Sequence, residues 1–175
     1  MRERPGLRVP GCVDGFELGV RAIVGQQVSV PAARTVLGSL AAQYGEALPE
    51  PAGALTHRFP AAEALAELDP AAMPFPRTRA RALRSLARLS ADGELRLDAG
   101  SDATEALRVL GEIPGVGPWT SSYVAMRALG DPDVFLPGDV GIRHALEGLG
   151  TPASDERWRP WRSYAVMHLW RSLAA

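Results

Sequence analysis

The chain contains no lysine. All 19 of its basic residues are arginines, so no lysine side chain can form a Schiff base. Cysteine is nearly as scarce: Cys12 stands alone, which excludes an internal disulfide, a cysteine-ligated iron–sulfur cluster and a CxxC zinc site. The three histidines, His57, His144 and His168, are scattered without metal-ligand spacing. No apolar run reaches membrane-span length, and the opening MRERPGLRVPG lacks the apolar core of a signal peptide. A cytoplasmic protein without membrane contact is expected. Formal net charge is −1, which argues against holding nucleic acid by bulk charge alone. Strand signals are almost absent.

Helix signals fill the 175 residues instead. Asp14 with Glu17 forms a capping-box pattern ahead of FELGVRAIVGQQ, and Asp102 with Glu105 repeats it ahead of ATEALRVLGE. Ser29, Val30 and Pro31 open PAARTVLGSLAAQYG, and Gly45 suits its C-terminal cap. PEPAGALTHRFP reads as a loop, AAEALAELD as a short helix and RTRARALRSLARLSADGEL as a longer one. A helix from about Pro118 to Leu129 ends at Gly130, DPDVFLPG is an extended loop, and Asp139 begins DVGIRHALEGLG. The last helix starts near Pro160. The pattern predicts an all-α bundle.

Four constellations could carry chemistry. In IPGVGPWTSSY, Gly115 and Gly117 flank one valine and Pro118 starts a helix. Such a turn points main-chain N–H groups one way at a helix N-terminus, which suits a phosphate and needs no lysine. Asp139 is an ordinary N-cap by position. The same carboxylate could stabilise a cation or orient water, and the two roles are compatible. Trp119 and Tyr123 share a helix face, and Trp158, Trp161, Tyr164 and Trp170 gather near the end of the chain. They are core packing or an aromatic pocket for a flat or cationic ligand. Finally, Arg77, Arg81, Arg84 and Arg88 follow one face of a helix, as a solvated basic face or a stripe toward DNA.

Taken together, RPGLRVPGCVDGFELGVRAIVGQQVSV, IPGVGPWTSSYVAMRALGDPDVFLPGD and RWRPWRSYAVMHLW resemble the helix–hairpin–helix DNA glycosylases, and within them the AlkA type of DNA-3-methyladenine glycosylase II. The three blocks span nearly the whole chain. The resemblance implies one helical domain over residues 1–175, built as two packed helical subdomains with a cleft between them, with the hairpin motif at about 104–129. The β-containing N-terminal domain usual in such enzymes is expected to be absent. It further implies a monofunctional glycosylase that cuts the N-glycosidic bond of alkylated purines in double-stranded DNA for base excision repair. The implied enzyme is a nucleoid-associated monomer that requires no cofactor.

Residue roles follow from the same resemblance. Asp139 falls at the catalytic aspartate, and Trp119, Tyr123 and Trp170 fall at base-pocket positions. Gln26 and Gln27 fall where a wedge enters the duplex, Gln27 standing where a leucine is expected. The backbone of Gly115, Gly117, Trp119 and Thr120 would hold a phosphate. Carbonyls of Gly111, Ile113 and Val116 would hold a monovalent metal ion. Bifunctional relatives carry a lysine near Trp119, and others carry a four-cysteine iron–sulfur cluster. The composition of this chain excludes both. A non-catalytic helix–hairpin–helix DNA-binding module is the rival, and it would need neither Asp139 nor an aromatic pocket.

Overall fold

Short polar side chains placed ahead of apolar runs set most helix starts. In the computed structural model, which describes residues 4–73, 75–150 and 156–173, Asp14 accepts the Glu17 N–H and opens α1 (Gly15–Val24). Ser29 accepts the Ala32 N–H and opens α2 (Val30–Tyr44), with Pro31 in its first turn. A five-residue α3 (Ala62–Ala66) precedes α4 (Arg77–Ala91). Asp102 accepts the Thr104 and Glu105 amides to open α5 (Ala103–Gly111). Then come α6 (Pro118–Arg127), α7 (Val140–Leu149), a 3-10 turn at Glu156–Trp158 and α8 (Arg162–Ser172). No helix among the described residues is long and apolar enough to cross a membrane.

Several expectations are corrected. Each expected capping box is half made. The aspartates cap, but Glu17 turns forward to Arg21 and Glu105 to Arg108. An ion pair one turn ahead replaces the reciprocal bond to the cap. The expected loop PEPAGALTHRFP contains strand: β1 (Ala47–Ala52) pairs antiparallel with β2 (Leu55–His57). The signal was missing because nearly every residue of the hairpin is exposed, so no apolar alternation exists to read. Pro49 and Pro51 also cannot donate to a ladder, a loss that only a two-stranded edge tolerates. The helix expected to reach Leu129 ends at Arg127. The last helix begins at Arg162, near Pro160 as expected, and the Arg159–Pro160 bond before it is cis.

The core falls into two clusters. The larger gathers Ile23, Leu40, Leu65, Leu83, Leu86 and Leu110 with the hairpin residues Ile113 and Val116. The smaller gathers Met126, Leu136, Ile142, Leu146, Val166 and Leu169. α6 serves both: Val124 belongs to the first cluster and Ala125 and Met126 to the second, while Tyr123 packs against each. The helix that follows the glycine turn is therefore the spine between the two halves of the core.

Candidate active site and nucleic-acid interface

The glycine turn links α5 to α6 in six residues, 112–117. Ile113 and Val116 are buried and anchor it, and the Val116 N–H donates to the Ile113 carbonyl at 3.0 Å. Gly115 has φ +96°, a left-handed geometry that only glycine adopts without strain. A Cβ there would lie 3.3 Å from the Ala82 methyl on α4. Gly117 does not share this geometry. It is extended, at φ −97° and ψ 176°, and a Cβ on it would meet nothing within 4 Å. Gly115 makes the turn, and Gly117 keeps its outer flank open.

Beyond Gly117, α6 starts without a side-chain cap. Its first intrahelical bond runs from the Ser121 N–H to the Gly117 carbonyl. Pro118 has no N–H. Among the described residues, no backbone bond engages the N–H groups of Gly115, Gly117, Trp119 or Thr120. Such amides sit at the positive end of a helix and suit an anion.

Asp139 lies half-buried at the start of α7. Oδ1 accepts the Ile142 N–H at 2.9 Å and the Trp170 indole N–H at 3.0 Å. Oδ2 accepts the Trp119 indole N–H at 3.1 Å. Two tryptophans 51 positions apart thus converge on one carboxylate. A carboxylate offers about four acceptor sites. Three are taken, and the one left open is on Oδ2. Around it, Trp119 stacks on Tyr123 with centroids 5.2 Å apart and planes 9° apart. Trp170 lies 6.3 Å from Tyr123 and tilted by 53°. The Arg127 guanidinium sits 5.5 Å from the Tyr123 ring centre and donates to its hydroxyl.

The remaining aromatics do not join this group. Trp158 packs on Phe135, and Trp161, 54% exposed, meets the edge of Tyr164. The two glutamines part company. Gln27 is exposed, whereas the Gln26 amide is fastened to the glycine turn. Arg77, Arg81 and Arg88 are exposed, and Arg84 is half-buried, its Nε donating to the Ala66 carbonyl.

Four further residues, Gly141, Asp133, Arg162 and Ser163, shape the site beyond those expected from the sequence. A Cβ at Gly141 would lie 3.2 Å from Asp139 Oδ1, 3.1 Å from Leu173 Cδ1 and 3.5 Å from Trp170 Cδ1. The only hint was a glycine inside a helical run, where a packing reason is expected. Asp133 and Ser163 tie the 131–138 loop to α8. Arg162 Nε and Nη2 donate to the Asp133 carboxylate at 2.7 and 3.0 Å, holding its carboxyl below the usual carboxylate range. The buried Ser163 hydroxyl donates to the Asp131 carbonyl and accepts the Val134 N–H. These bonds fix where Asp139 meets Trp170.

The family model for the HhH-GPD superfamily base excision DNA repair protein matches residues 20–159. A probable bifunctional transcriptional activator/DNA repair enzyme AlkA of Mycobacterium tuberculosis is 49% identical over 176 residues, covering 97% of this chain and 36% of that protein. DNA-3-methyladenine glycosylase 2 of Escherichia coli is 44% identical, covering 95% of this chain and 61% of that one. The chain therefore spans between 36% and 61% of the length of these curated relatives. Among solved structures, the 3-methyladenine DNA-glycosylase of Archaeoglobus fulgidus has a TM-score of 0.75 at 23% identity, over 93% of this chain and 59% of the other. The Schizosaccharomyces pombe 3-methyladenine DNA glycosylase in complex with abasic DNA has a TM-score of 0.74 at 22% identity, over 98% and 86%. These two likenesses bear on the fold.

Proposed function

Because the chain belongs to the HhH-GPD superfamily of base excision DNA repair proteins, we propose that it is a monofunctional glycosylase. Its reaction is hydrolysis of the N-glycosidic bond of alkylated purines, 3-methyladenine among them, in duplex DNA. The observation that carries this reading is the Asp139 carboxylate, gripped by two indole N–H groups and left with one open acceptor site on Oδ2.

The chemistry follows from the parts. The glycosidic bond is shielded inside a duplex, so the base must leave the stack, at a cost of a few kcal/mol that falls for a damaged base. The amides of Gly115, Gly117, Trp119 and Thr120 would hold a phosphate beside the lesion. Gln27, exposed, would enter the gap. An alkylated purine that carries positive charge is drawn to the faces of Trp119, Tyr123 and Trp170, by roughly 0.5–2 kcal/mol per contact. Such a base is already a good leaving group. When its bond to C1′ breaks, the electron pair departs with the base and positive charge develops on the sugar. Asp139 Oδ2 stabilises that charge. Water then adds to C1′, its proton passing by way of Oδ2 to solvent. One carboxylate suffices because the leaving group needs no acid, unlike the sugar–oxygen bonds that take a pair. With no lysine in the chain, strand cleavage by a lysine Schiff base does not follow base loss.

We propose in addition that the glycine turn holds a monovalent cation on the carbonyls of Gly111, Ile113 and Val116. The carbonyls of Gly111 and Val116 accept no backbone bond from the described residues, the Ile113 carbonyl keeps one lone pair, and all lie beside the negative end of α5. An ion held there would brace the turn and take no part at C1′.

Free-base release from methylated duplex DNA tests the reading. Release of 3-methyladenine by this chain supports it. Tight binding to duplex DNA with no release at any enzyme concentration would instead make the chain a helix–hairpin–helix binding module.

A further inference from the structure

The loop that joins α1 to α2, residues 25–29, holds two adjacent glutamines with opposite surroundings. Gln27 is exposed and has φ +55°, the one positive value at a non-glycine residue among the described residues. An L-residue persists in that geometry only when its surroundings hold it there. Gln26 is half-buried, and its amide nitrogen makes two bonds across the fold: to the Gly115 carbonyl at 3.1 Å and to Thr120 Oγ1 at 2.9 Å. Gly115 is the left-handed residue of the glycine turn, and Thr120 lies, 2% exposed, in the first turn of α6. One side chain therefore joins the loop to both parts of the proposed phosphate grip. Arg79 adds a second tie, donating from α4 to the carbonyl of Val24, the last residue of α1.

We infer that Gln26 is a positioning residue, a latch that fixes the presentation of Gln27 by the seating of the glycine turn. This rests on the glycosylase reading above. Both amide hydrogens of Gln26 are committed, so it cannot reach into a duplex without breaking two bonds. Among the described residues Gln27 makes no hydrogen bond of its own, and it is exposed. Its left-handed backbone is imposed by pinned neighbours, Gln26 on one side and the Ser29 cap of α2 on the other. Any shift of the turn on binding phosphate passes through Gln26 directly to the residue that enters the stack. Grip and insertion then form one motion. Losing the latch leaves the phosphate amides and Asp139 in place, yet lets residues 25–29 relax and Gln27 swing away.

A latch and a merely structural glutamine differ in how their loss depends on base pairing. Single-turnover base release is measured for wild type, Gln26→Ala, Gln26→Glu and Thr120→Val. The same methylated base is placed in a fully paired duplex and opposite an abasic site, and thermal midpoints are recorded alongside. Glutamate keeps the length and cannot donate when ionised. Valine keeps the shape of threonine and removes one bond with the least risk to folding. The expected result is a loss of about tenfold, equal to about 1.4 kcal/mol, for both Gln26 variants on the paired substrate. It shrinks to about twofold on the unpaired one, with Thr120→Val in between. Equal losses on both substrates, or losses that follow the thermal midpoint, overturn the latch and leave the glycosylase intact. Unchanged rates do the same. Wild type that releases base from neither duplex overturns both readings.

Discussion

α6 and α7 follow one another along the chain and begin as opposites. α6 starts behind Gly117 with no side-chain cap and leaves the N–H groups of Trp119 and Thr120 without a backbone partner. α7 starts behind Asp139, whose carboxylate takes an amide of its own helix and also two indole N–H groups from other helices. A capped helix start consumes its positive end; an uncapped one keeps it for a ligand. The chain places the uncapped start on the turn that would meet DNA backbone, and the capped start among aromatic rings, where negative charge is held ready. Trp119 connects the two: its backbone belongs to the open helix start, and its indole N–H closes on Asp139. An anion grip and a carboxylate are thereby separated by one residue's length.

The strongest way to break this comparison is to neutralise the carboxylate while keeping the cap. Asparagine caps as well as aspartate, so Asp139→Asn should keep α7 formed, and the melting temperature should fall only by what the weakened indole bonds supplied. It removes the charge and sets an NH₂ group against an indole donor. We expect base release from methylated duplex DNA to fall about a hundredfold, or roughly 2.7 kcal/mol of transition-state stabilisation. Near-wild-type release by this variant would leave Asp139 as a cap and nothing more. Next in size is the grip on the carboxylate. Trp119→Phe and Trp170→Phe keep a ring and delete an N–H to a charged acceptor, a bond of roughly 1.5–3 kcal/mol. Each should lower kcat about tenfold while the affinity for abasic-site DNA changes little. A loss confined to affinity would mean that the rings serve only for stacking.

The two helix starts were not equally legible in the sequence. Asp139, Ser29, Asp14 and Asp102 were readable as caps because an N-cap depends on one residue and its position, and all four do cap. The turn was readable from its glycines, but not the division of labour between Gly115 and Gly117, which depends on Ala82 of α4 lying behind one and open space behind the other. The convergence of Trp119 and Trp170 on Asp139 was unreadable for the same reason, since it depends on how α8 is fastened to the 131–138 loop by Asp133, Arg162 and Ser163. The exposed β-hairpin escaped because strand periodicity exists only where one face is buried. The single-face Arg pattern of α4 was real, yet Arg84 is spent on the Ala66 carbonyl, a use that periodicity does not reveal.

The glycine pair sharpens the comparison from the other side. Gly115→Ala places a Cβ at φ +96° and 3.3 Å from the Ala82 methyl. It should cost about 1–2 kcal/mol of stability, read by denaturant titration, and weaken DNA binding through the distorted turn. Gly117→Ala meets no neighbour within 4 Å and adopts a backbone open to any residue. Its stability should hold or rise by a few tenths of a kcal/mol. Its methyl would stand where phosphate approaches, so duplex affinity should drop several-fold, with the largest change at low salt. Parallel losses of stability in both variants would show that the turn is only a connection.

The smallest effect concerns what holds α7's start in place, and it depends on pH. The Asp133 carboxyl is held below the usual carboxylate range by the Arg162 guanidinium, with Arg159 adding to it. A carboxylate whose folded value is depressed contributes stability above its unfolded value and loses it as pH falls through the folded one. Asp133→Asn should therefore melt below wild type at pH 7. The gap should begin to close as pH drops under about 4, where the unfolded carboxyl takes up its proton, and vanish below the lower folded value. Because Ser163 still ties the loop to α8, the variant should retain most of its activity at neutral pH. A gap of the same size at pH 3 and pH 7 would show that packing, and not charge, joins the loop to α8. The geometry at Asp139 would then owe nothing to the ion pair.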